Sequence, residues 1–269
     1  MRATEQLDLF SQRYVPAARY APGGDHQWVV SPDSLDDDHL LAAILASNIR
    51  DTIASVAEAG RRRLAAAVPV LETLCQRFTG FGADVLVPEQ AAALNAIVMI
   101  GGPEAAQTLG RLIVKQVVQG PCLVQALGAA AGVKAKLPAG TVMELLTDDR
   151  PQIRADACRC IRAWADAVPL LRDLLDDLHP EVRKAAACAL GRLGRTEVRA
   201  LLVSYLREEP CVELIEAIAP IADEECVILL GRVARTVPYL FEPALDALYS
   251  IDHSLSRKVA AALRDRRIE

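Results

Sequence analysis

The stretch HPEVRKAAACALGRLGR, residues 179–195, occurs a second time in altered form as RPQIRADACRCIRAWAD, residues 150–166. The two copies are offset by 29 residues, and a proline, an Ile or Val, an arginine and an alanine coincide. A third copy, EPCVELIEAIAPIADEE, occupies residues 209–225, and weaker copies begin near Pro88 and Pro121. Self-similarity at such a period is typical of repeat architectures, so the chain is predicted to be built from one repeated unit.

Each unit is predicted to be a pair of helices. Pro180 suits the first turn of a helix, because the amide hydrogen that proline lacks has no helical partner there. Val182 and Ala186 recur at helical spacing on an apolar face, and Gly194 can adopt the left-handed conformation that ends a helix. Residues 196–208 then continue as a second helix. Such a pair buries its apolar face only by stacking on its neighbours, which predicts an all-α fold of the α-solenoid class.

The composition agrees with this fold. Of the 269 residues, 52% are apolar but only 4% are aromatic, and the abundant Ala and Leu favour helix over strand. The sequence has no apolar run long enough to span a membrane, and its first residues lack the features of a secretory signal. The seven cysteines are an odd number without a CxxC pair, so we expect reduced cysteines in the helix interfaces of a cytoplasmic protein.

The pattern PEVRKAAACALGRLGRTEVRALLVSYL, residues 180–206, resembles the HEAT-repeat consensus, in the short form that is also found in phycobilin-lyase-like proteins. The resemblance implies a superhelix of about six to seven HEAT-like hairpins over residues 35–269, and it is clearest over residues 85–265. Residues 1–34 show no helical period and are predicted to form a flexible N-terminal tail. Because one fold serves many functions, the resemblance implies a fold and leaves the function open.

Arginines at equivalent repeat positions indicate one candidate surface. Arg154 and Arg183 each lie three residues after a helix-starting proline, and Glu213 has that position in the third copy. In HEAT-like repeats such an arginine often pairs with an acidic residue of a neighbouring repeat, for which Asp173 and Asp177 are the candidates. The alternative is a binding role for a basic face. Its predicted members are Arg154, Arg159, Arg162, Arg183, Lys184 and Arg192.

The charge is unevenly distributed along the chain. Residues 150–207 hold 11 Lys/Arg against 7 Asp/Glu, a net charge of +4, whereas residues 208–253 hold 2 against 10, a net charge of -8. A nucleic-acid groove favours a continuous basic stripe, so nucleic acid is possible but is not the favoured partner. The two segments instead suit a protein partner of complementary charge.

The sequence contains no constellation that predicts catalysis. None of the four histidines has a histidine four residues on, and phosphate-binding and nucleophile motifs are absent. We therefore predict no catalytic residue, no metal and no cofactor, and a non-enzymatic protein over an enzyme. Two families with similar helical repeats keep an enzyme possible. One is the HEAT-like alkylpurine DNA glycosylases, with Asp156 and Trp164 as candidates, and the other is the phycobilin lyases, with Asp156 and Glu216.

The N-terminal segment contains the pentapeptide QLDLF. It resembles the QL[SD]LF motif by which bacterial replication and repair proteins bind the β sliding clamp, and all five positions match. These are Gln6, Leu7, Asp8, Leu9 and Phe10. The resemblance implies that Leu9 and Phe10 fill the clamp's apolar pocket, that Leu7 packs at its edge and that the Gln6 amide bonds its rim. The alternative is that these apolar side chains cap the first repeat of the solenoid.

The predicted function is that of a cytoplasmic, bacterial, non-enzymatic scaffold or adaptor without a membrane segment. Its N-terminal tail would tether it to the DNA sliding clamp in replication or repair, while the solenoid binds a second protein. The alternatives are a DNA-binding or DNA-repair protein of the glycosylase type and a phycobilin-lyase-like protein.

Overall fold

The computed structural model describes residues 31–46, 49–161 and 163–265, and the segment Pro32–Glu269 forms one compact unit. Within the described residues the regular structure is entirely helical. The α-helices are α1 (Asp37–Ala46), α2 (Ile49–Arg62), α3 (Ala67–Gln76), α4 (Pro88–Ile100), α5 (Gly102–Val114), α6 (Gly120–Gly132), α7 (Ala139–Leu146), α8 (Pro151–Cys160), α9 (Val168–Asp173), α10 (Pro180–Arg192), α11 (Arg199–Glu208), α12 (Val212–Ile218), α13 (Glu224–Thr236), α14 (Phe241–Ser250) and α15 (Ser254–Asp265). Short 3₁₀ turns precede or follow several of them.

The helices are arranged in two layers. In the first layer each even-numbered helix packs on the next, from α2 through α14. The odd-numbered helices form the second layer, and each helix from α1 to α13 in that layer packs against the even-numbered helix that follows it, while α15 packs on α13 and α14. The described chain therefore contains seven packed helix pairs, from α1–α2 to α13–α14, and one further helix. This confirms the predicted α-solenoid and agrees with the predicted six to seven repeats.

Several first-layer helices end as the sequence predicts for α10. Gly194 has a φ of +75° and follows the last turn of α10, where the Arg195 amide donates to the Leu190 carbonyl. This is the six-residue closing bond of a Schellman turn. Lys134 after α6 and Arg63 after α2 have the same left-handed conformation, at φ +56° and +54°. Non-glycine residues thus fill a position for which the sequence suggested only glycine.

Two copies of the repeat have shorter first helices than α10. In the third copy α12 ends at Ile218 and continues as a 3₁₀ turn that contains Pro220, a residue that cannot donate an amide to a helix. In the second copy α8 ends at Cys160, and Ile161 leaves in an extended conformation. Trp164 therefore lies beyond the helix, partly buried, and packs against the core.

Small residues bring neighbouring helices close together in the core. Ala185, Ala186 and Ala189 of α10 are fully buried, and Gly191 lies directly against the backbone of Ala217 in α12. Close packing of this kind explains how a chain with few aromatic residues forms a continuous core. Among the described residues, no helix is both long enough and apolar enough to cross a membrane.

Candidate protein-interaction surface

The repeated arginines bind the turns that lead into their own helices. Arg154 Nη1 donates to the carbonyls of Asp148 and Asp149 at 2.8 and 3.0 Å. Arg183 Nη1 makes the equivalent bonds 29 residues later, to Asp177 and Leu178 at 2.7 and 3.1 Å. An arginine at this repeat position therefore satisfies two carbonyls that have no helical partner.

A buried ion pair joins two of these repeats. The guanidinium of Arg154 donates to both carboxylate oxygens of Asp177, at 2.8 and 3.0 Å, and the two side chains are 14% and 7% exposed. This hydrogen bonding lowers the pKa of Asp177 below its ordinary value. Asp177, one of the two predicted candidates, is thus the partner of Arg154. The predicted pairing with a neighbouring repeat is confirmed for this arginine.

Further ion pairs link consecutive repeats along the second half of the chain. They are Arg172–Glu197, Lys184–Glu209, Arg199–Asp223 and Arg207–Glu225. The side chains of Arg207 and Glu225 are both more than half exposed, so solvent weakens that pair most. Together with Arg154–Asp177, these pairs form a ladder that spans adjacent units.

A partly buried charge cluster lies across α8, α10 and α12. Arg159 Nη1 donates to Asp156 at 2.7 Å, and its Nε donates to Glu213 at 3.3 Å. Arg192, which is 9% exposed, lies with its Nη1 3.7 Å from Glu213 and donates to the Cys158 carbonyl. Burial lowers the pKa of Arg159, but the carboxylates of Glu213 and Asp156 outweigh it, so the net pKa is raised. Glu213 occupies the repeat position that is an arginine in the two preceding copies, and it therefore pairs with Arg159 and Arg192 of those copies.

The predicted basic face is thus largely neutralised in the structure. Arg154, Arg159, Arg183, Lys184 and Arg192 all contact a carboxylate or a backbone carbonyl, and Arg162 lies outside the described residues. Cations that are already paired bind a phosphate backbone less readily, because each contact must first be broken. Whether this face binds a partner stays a prediction.

The residues proposed for the enzymatic alternatives are also engaged. Asp156 is buried and accepts from Gln152 and Arg159, while Glu216 lies 3.6 Å from Lys134. In the described part of the chain, no group of three or more His, Cys, Asp or Glu residues is arranged to hold a metal ion. The clamp-like residues Gln6, Leu7, Asp8, Leu9 and Phe10 lie outside that part.

The cysteines fill helix interfaces, as predicted. All seven are free, and six of them are buried. Burial raises the pKa of Cys75, Cys158 and Cys188 to about 12, so these thiols carry almost no thiolate at neutral pH.

Exposed apolar side chains follow one edge of the solenoid, which the sequence alone did not indicate. We call it the proline edge, and it comprises the turns that lead into the even-numbered helices α4 to α14, at residues 77–87, 115–119, 147–150, 177–179, 209–211 and 237–240. Contacts between neighbouring turns place them at the same edge, since Arg154 at the start of α8 binds Asp177 in the following turn and Tyr239 Oη donates to the Pro210 carbonyl in the preceding turn.

Exposed apolar side chains are concentrated there. Of the eleven large apolar residues that are exposed in the described chain, seven lie within these turns or at the helix residues that bound them. These are Phe81, Val85, Leu86, Val114, Leu178, Val212 and Tyr239. Leu178 is 92% exposed and Tyr239 is 72% exposed. An apolar residue two positions before a repeat proline is the sequence signal that would have identified Leu86 and Leu178.

Comparisons with known proteins agree with the fold. A profile of HEAT repeats matches residues 140–219. A chain from the complex of CpcE and CpcF of phycocyanin lyase from Nostoc sp. PCC7120 superimposes with a TM-score of 0.61 at 17% identity, over 93% of this chain and 99% of that chain. This likeness shows the fold alone.

Two further solved structures are similar over most of the chain. An engineered protein matches with a TM-score of 0.44 at 16% identity, over 84% of this chain and 77% of its own. YibA from E. coli matches with a TM-score of 0.38 at 15% identity, over 87% of this chain and 94% of its own. No curated protein sequence matches the chain significantly.

Proposed function

We propose that the protein is a non-enzymatic scaffold that binds another protein along the proline edge. The observation that carries this proposal is the concentration of exposed large apolar side chains on that one edge. Exposed apolar surface is costly in water, and where it is concentrated on one part of a protein it commonly marks an interaction site. Aromatic residues such as Tyr239 are also frequent among the side chains that dominate binding energy.

The ion-pair ladder supports this function by fixing the shape of the surface. Each turn of the proline edge belongs to a different repeat, so a rigid edge requires rigid repeat-to-repeat contacts. The Arg154–Asp177 pair and the two carbonyl bonds of Arg183 hold the turn at Leu178 in place from both sides. A partner then binds a preformed surface and loses less free energy to ordering.

Tyr239 and Tyr249 provide a matched test of the proposed edge. Both are exposed tyrosines, but Tyr239 lies on the proline edge, whereas Tyr249 lies near the C-terminal end of α14, on the opposite edge. We expect Tyr239→Asp to abolish co-purification of the partner from the host, because it places a charge within the apolar contact. We expect Tyr249→Asp to retain the partner. Equal retention by both variants would contradict the proposal.

We further propose that the QLDLF segment tethers this scaffold to the β sliding clamp. Burial of Leu9 and Phe10 in an apolar pocket would contribute about 1.5–3 kcal/mol for each side chain, and ordering of the segment would offset much of it. Purified β clamp should therefore bind the full-length protein in the micromolar range, and Leu9→Ala with Phe10→Ala should remove binding. Equal binding by both proteins would exclude the tether. A lowered melting temperature in the double variant would instead support the capping alternative.

A phycobilin-lyase-like function is the second candidate. It is favoured by the superposition on a chain of the CpcE–CpcF complex over almost the full length of both chains. If this chain works in the same manner, it would form a lyase with a second, different subunit, and the pair would act on a bilin. The identity of the protein that depends on Tyr239 would separate the two candidates: a partner with which the chain has lyase activity favours the lyase, and a partner without such activity favours the scaffold.

A further inference from the structure

A cavity of about 390 Å³ opens where the first turns of the proline edge meet. Its walls come from three of those turns, at Ala83, Gln119 and Arg150, and from the adjoining ends of α5, α6 and α7. Its volume falls within the range of about 300–1,000 Å³ that is usual for binding pockets. The cavity therefore lies inside the surface that we propose to bind a partner.

The lining of the cavity combines apolar side chains, which we call its floor, with polar side chains, which we call its rim. In the floor Val114 is exposed and Leu123 and Leu145 are partly buried, so all three offer apolar surface to a guest. Thr141 and Gln119 belong to the rim and add polar groups to the lining. This combination suits an apolar side chain whose own backbone remains near the rim.

The cavity walls are held in place by buried contacts, so the cavity is preformed. The buried side chain of Gln90 donates to the carbonyls of both Cys75 and Val117, at 3.0 and 3.1 Å, which joins the 115–119 turn to α3. Gly120 has a φ of +48°, and a Cβ atom there would lie 2.2 Å from the Ala83 carbonyl oxygen. Only glycine therefore allows the 77–87 turn to approach α6 this closely.

The charge around the cavity is predominantly negative. Glu144 lies on the rim, is exposed and has no ion-pair partner among residues 31–46, 49–161 and 163–265. Asp84 and Asp149 are exposed beside lining residues and are likewise without an ion-pair partner in the described chain. Arg150, which also lines the cavity, is bound by the Asp148 carboxylate at 2.9 Å through both Nε and Nη2. Lys115, beside Val114, is exposed as well, but the three carboxylates outnumber it, so the remaining charge favours a cationic group at the rim.

We propose that this cavity binds a segment of the partner protein in which an apolar anchor residue is flanked by Lys or Arg. The anchor fills the apolar floor, and the cation pairs with Glu144. This inference rests on the proposed function, because it assumes that the proline edge binds protein, and it adds where the contact is centred and which residues the partner contributes.

A phage-displayed library of random peptides, selected against the full-length protein, tests the inference. We expect enrichment of peptides with a large apolar residue near Lys or Arg. A fluorescent synthetic peptide from that consensus should bind at least about tenfold more weakly to Glu144→Lys, because the variant places like charges together. Glu104→Lys makes the same charge change in the first turn of α5. The cavity is lined by the other end of that helix, at Val114, so this control variant should leave the affinity unchanged.

Val114→Asp tests the apolar floor independently of the rim and should also weaken binding about tenfold or more. Circular dichroism would show that each variant remains folded. The inference is overturned if no peptide is enriched, if the enriched peptides lack a cationic residue, or if Glu144→Lys and Val114→Asp bind the peptide normally. Normal binding by these two variants with loss of binding in Leu178→Asp would place the contact elsewhere on the proline edge, and the proposed function would stand. Tighter binding after Leu9→Ser with Phe10→Ser would make the chain's own N-terminal segment the occupant and would also overturn the inference.

Discussion

Gly191→Ala is expected to destabilise the protein by about 2–3 kcal/mol, although the same change in an open helix is stabilising. A Cβ atom at residue 191 would lie 2.5 Å from the Ala217 carbonyl oxygen and 2.7 Å from Leu202 Cδ1. Both neighbours are fully buried, and the first is backbone, so neither moves without disturbing α11 or α12. The added methyl group therefore separates two stacked repeats.

Gly128→Ala is the matched control. Gly128 lies within α6 and is exposed, and a Cβ atom there would have no described neighbour within 4 Å beyond the backbone of its own helix. Alanine there should raise the stability by about 0.5–1 kcal/mol, because it reduces the conformational entropy of the unfolded chain. Thermal unfolding followed by circular dichroism should therefore show shifts of opposite sign, with a decrease of about 5–10 °C for Gly191→Ala. An increase for both variants would mean that α10 and α12 are not packed as described.

Separation of Arg154 from Asp177 is the second change with a large expected effect. Removal of one partner from a buried ion pair typically costs about 3–5 kcal/mol, because the remaining charge stays buried. Arg154→Met also releases the two carbonyls of the 147–150 turn, whereas Asp177→Asn preserves the size of the side chain. A double-mutant cycle measured by urea unfolding should give a coupling energy of about 2 kcal/mol or more.

The Arg207–Glu225 pair serves as the control for that cycle. It also joins neighbouring repeats, but both side chains are more than half exposed. Its coupling energy should be at most about 1 kcal/mol and should fall further with added salt. Equal coupling in the two cycles would show that burial does not distinguish them, which would contradict the structural role assigned to Arg154.

The same pair predicts a pH dependence of stability. The pKa of Asp177 is lowered in the folded state, so the unfolded chain binds a proton at higher pH than the folded chain does. The stabilisation is therefore complete above the ordinary aspartate pKa of 3.8 and is lost as the pH falls through the lowered folded value. The stability difference between wild type and Asp177→Asn should accordingly be largest at neutral pH and should shrink in acid. A difference that stayed constant would exclude an ionised Asp177 as its source.

The repeat was predictable because its physical requirements recur at fixed spacing. Pro180 and Gly194 mark the start and end of α10, and both assignments are confirmed. The early end of α8 was not predictable from the alignment of the repeats. Cys160, the last residue of α8, aligns with Ala189, which lies in the interior of α10. The left-handed residues Arg63 and Lys134 were missed as well, because a sequence gives no local sign that such residues adopt a positive φ.

The candidate surface was less predictable than the fold. The arginine pattern correctly indicated a contact between repeats for Arg154, whereas Arg183 binds only the turn before its own helix. The role of Glu213 depends on Arg159, which lies 54 positions earlier in the chain. Contacts at that separation follow from how the helices stack. The proline edge has the same origin, because Leu178 and Tyr239 share a surface only after α10, α12 and α14 lie side by side.

Photo-crosslinking in the host cell tests the central claim most directly. A photoreactive amino acid is introduced separately at Leu178, at Tyr239 and, as the control on the opposite edge, at Tyr249. All three side chains are exposed, so each variant is expected to fold. We expect one partner protein that crosslinks from residues 178 and 239 and does not crosslink from residue 249. Crosslinks to that partner from residue 249 alone, or none from either position on the proline edge, would contradict it.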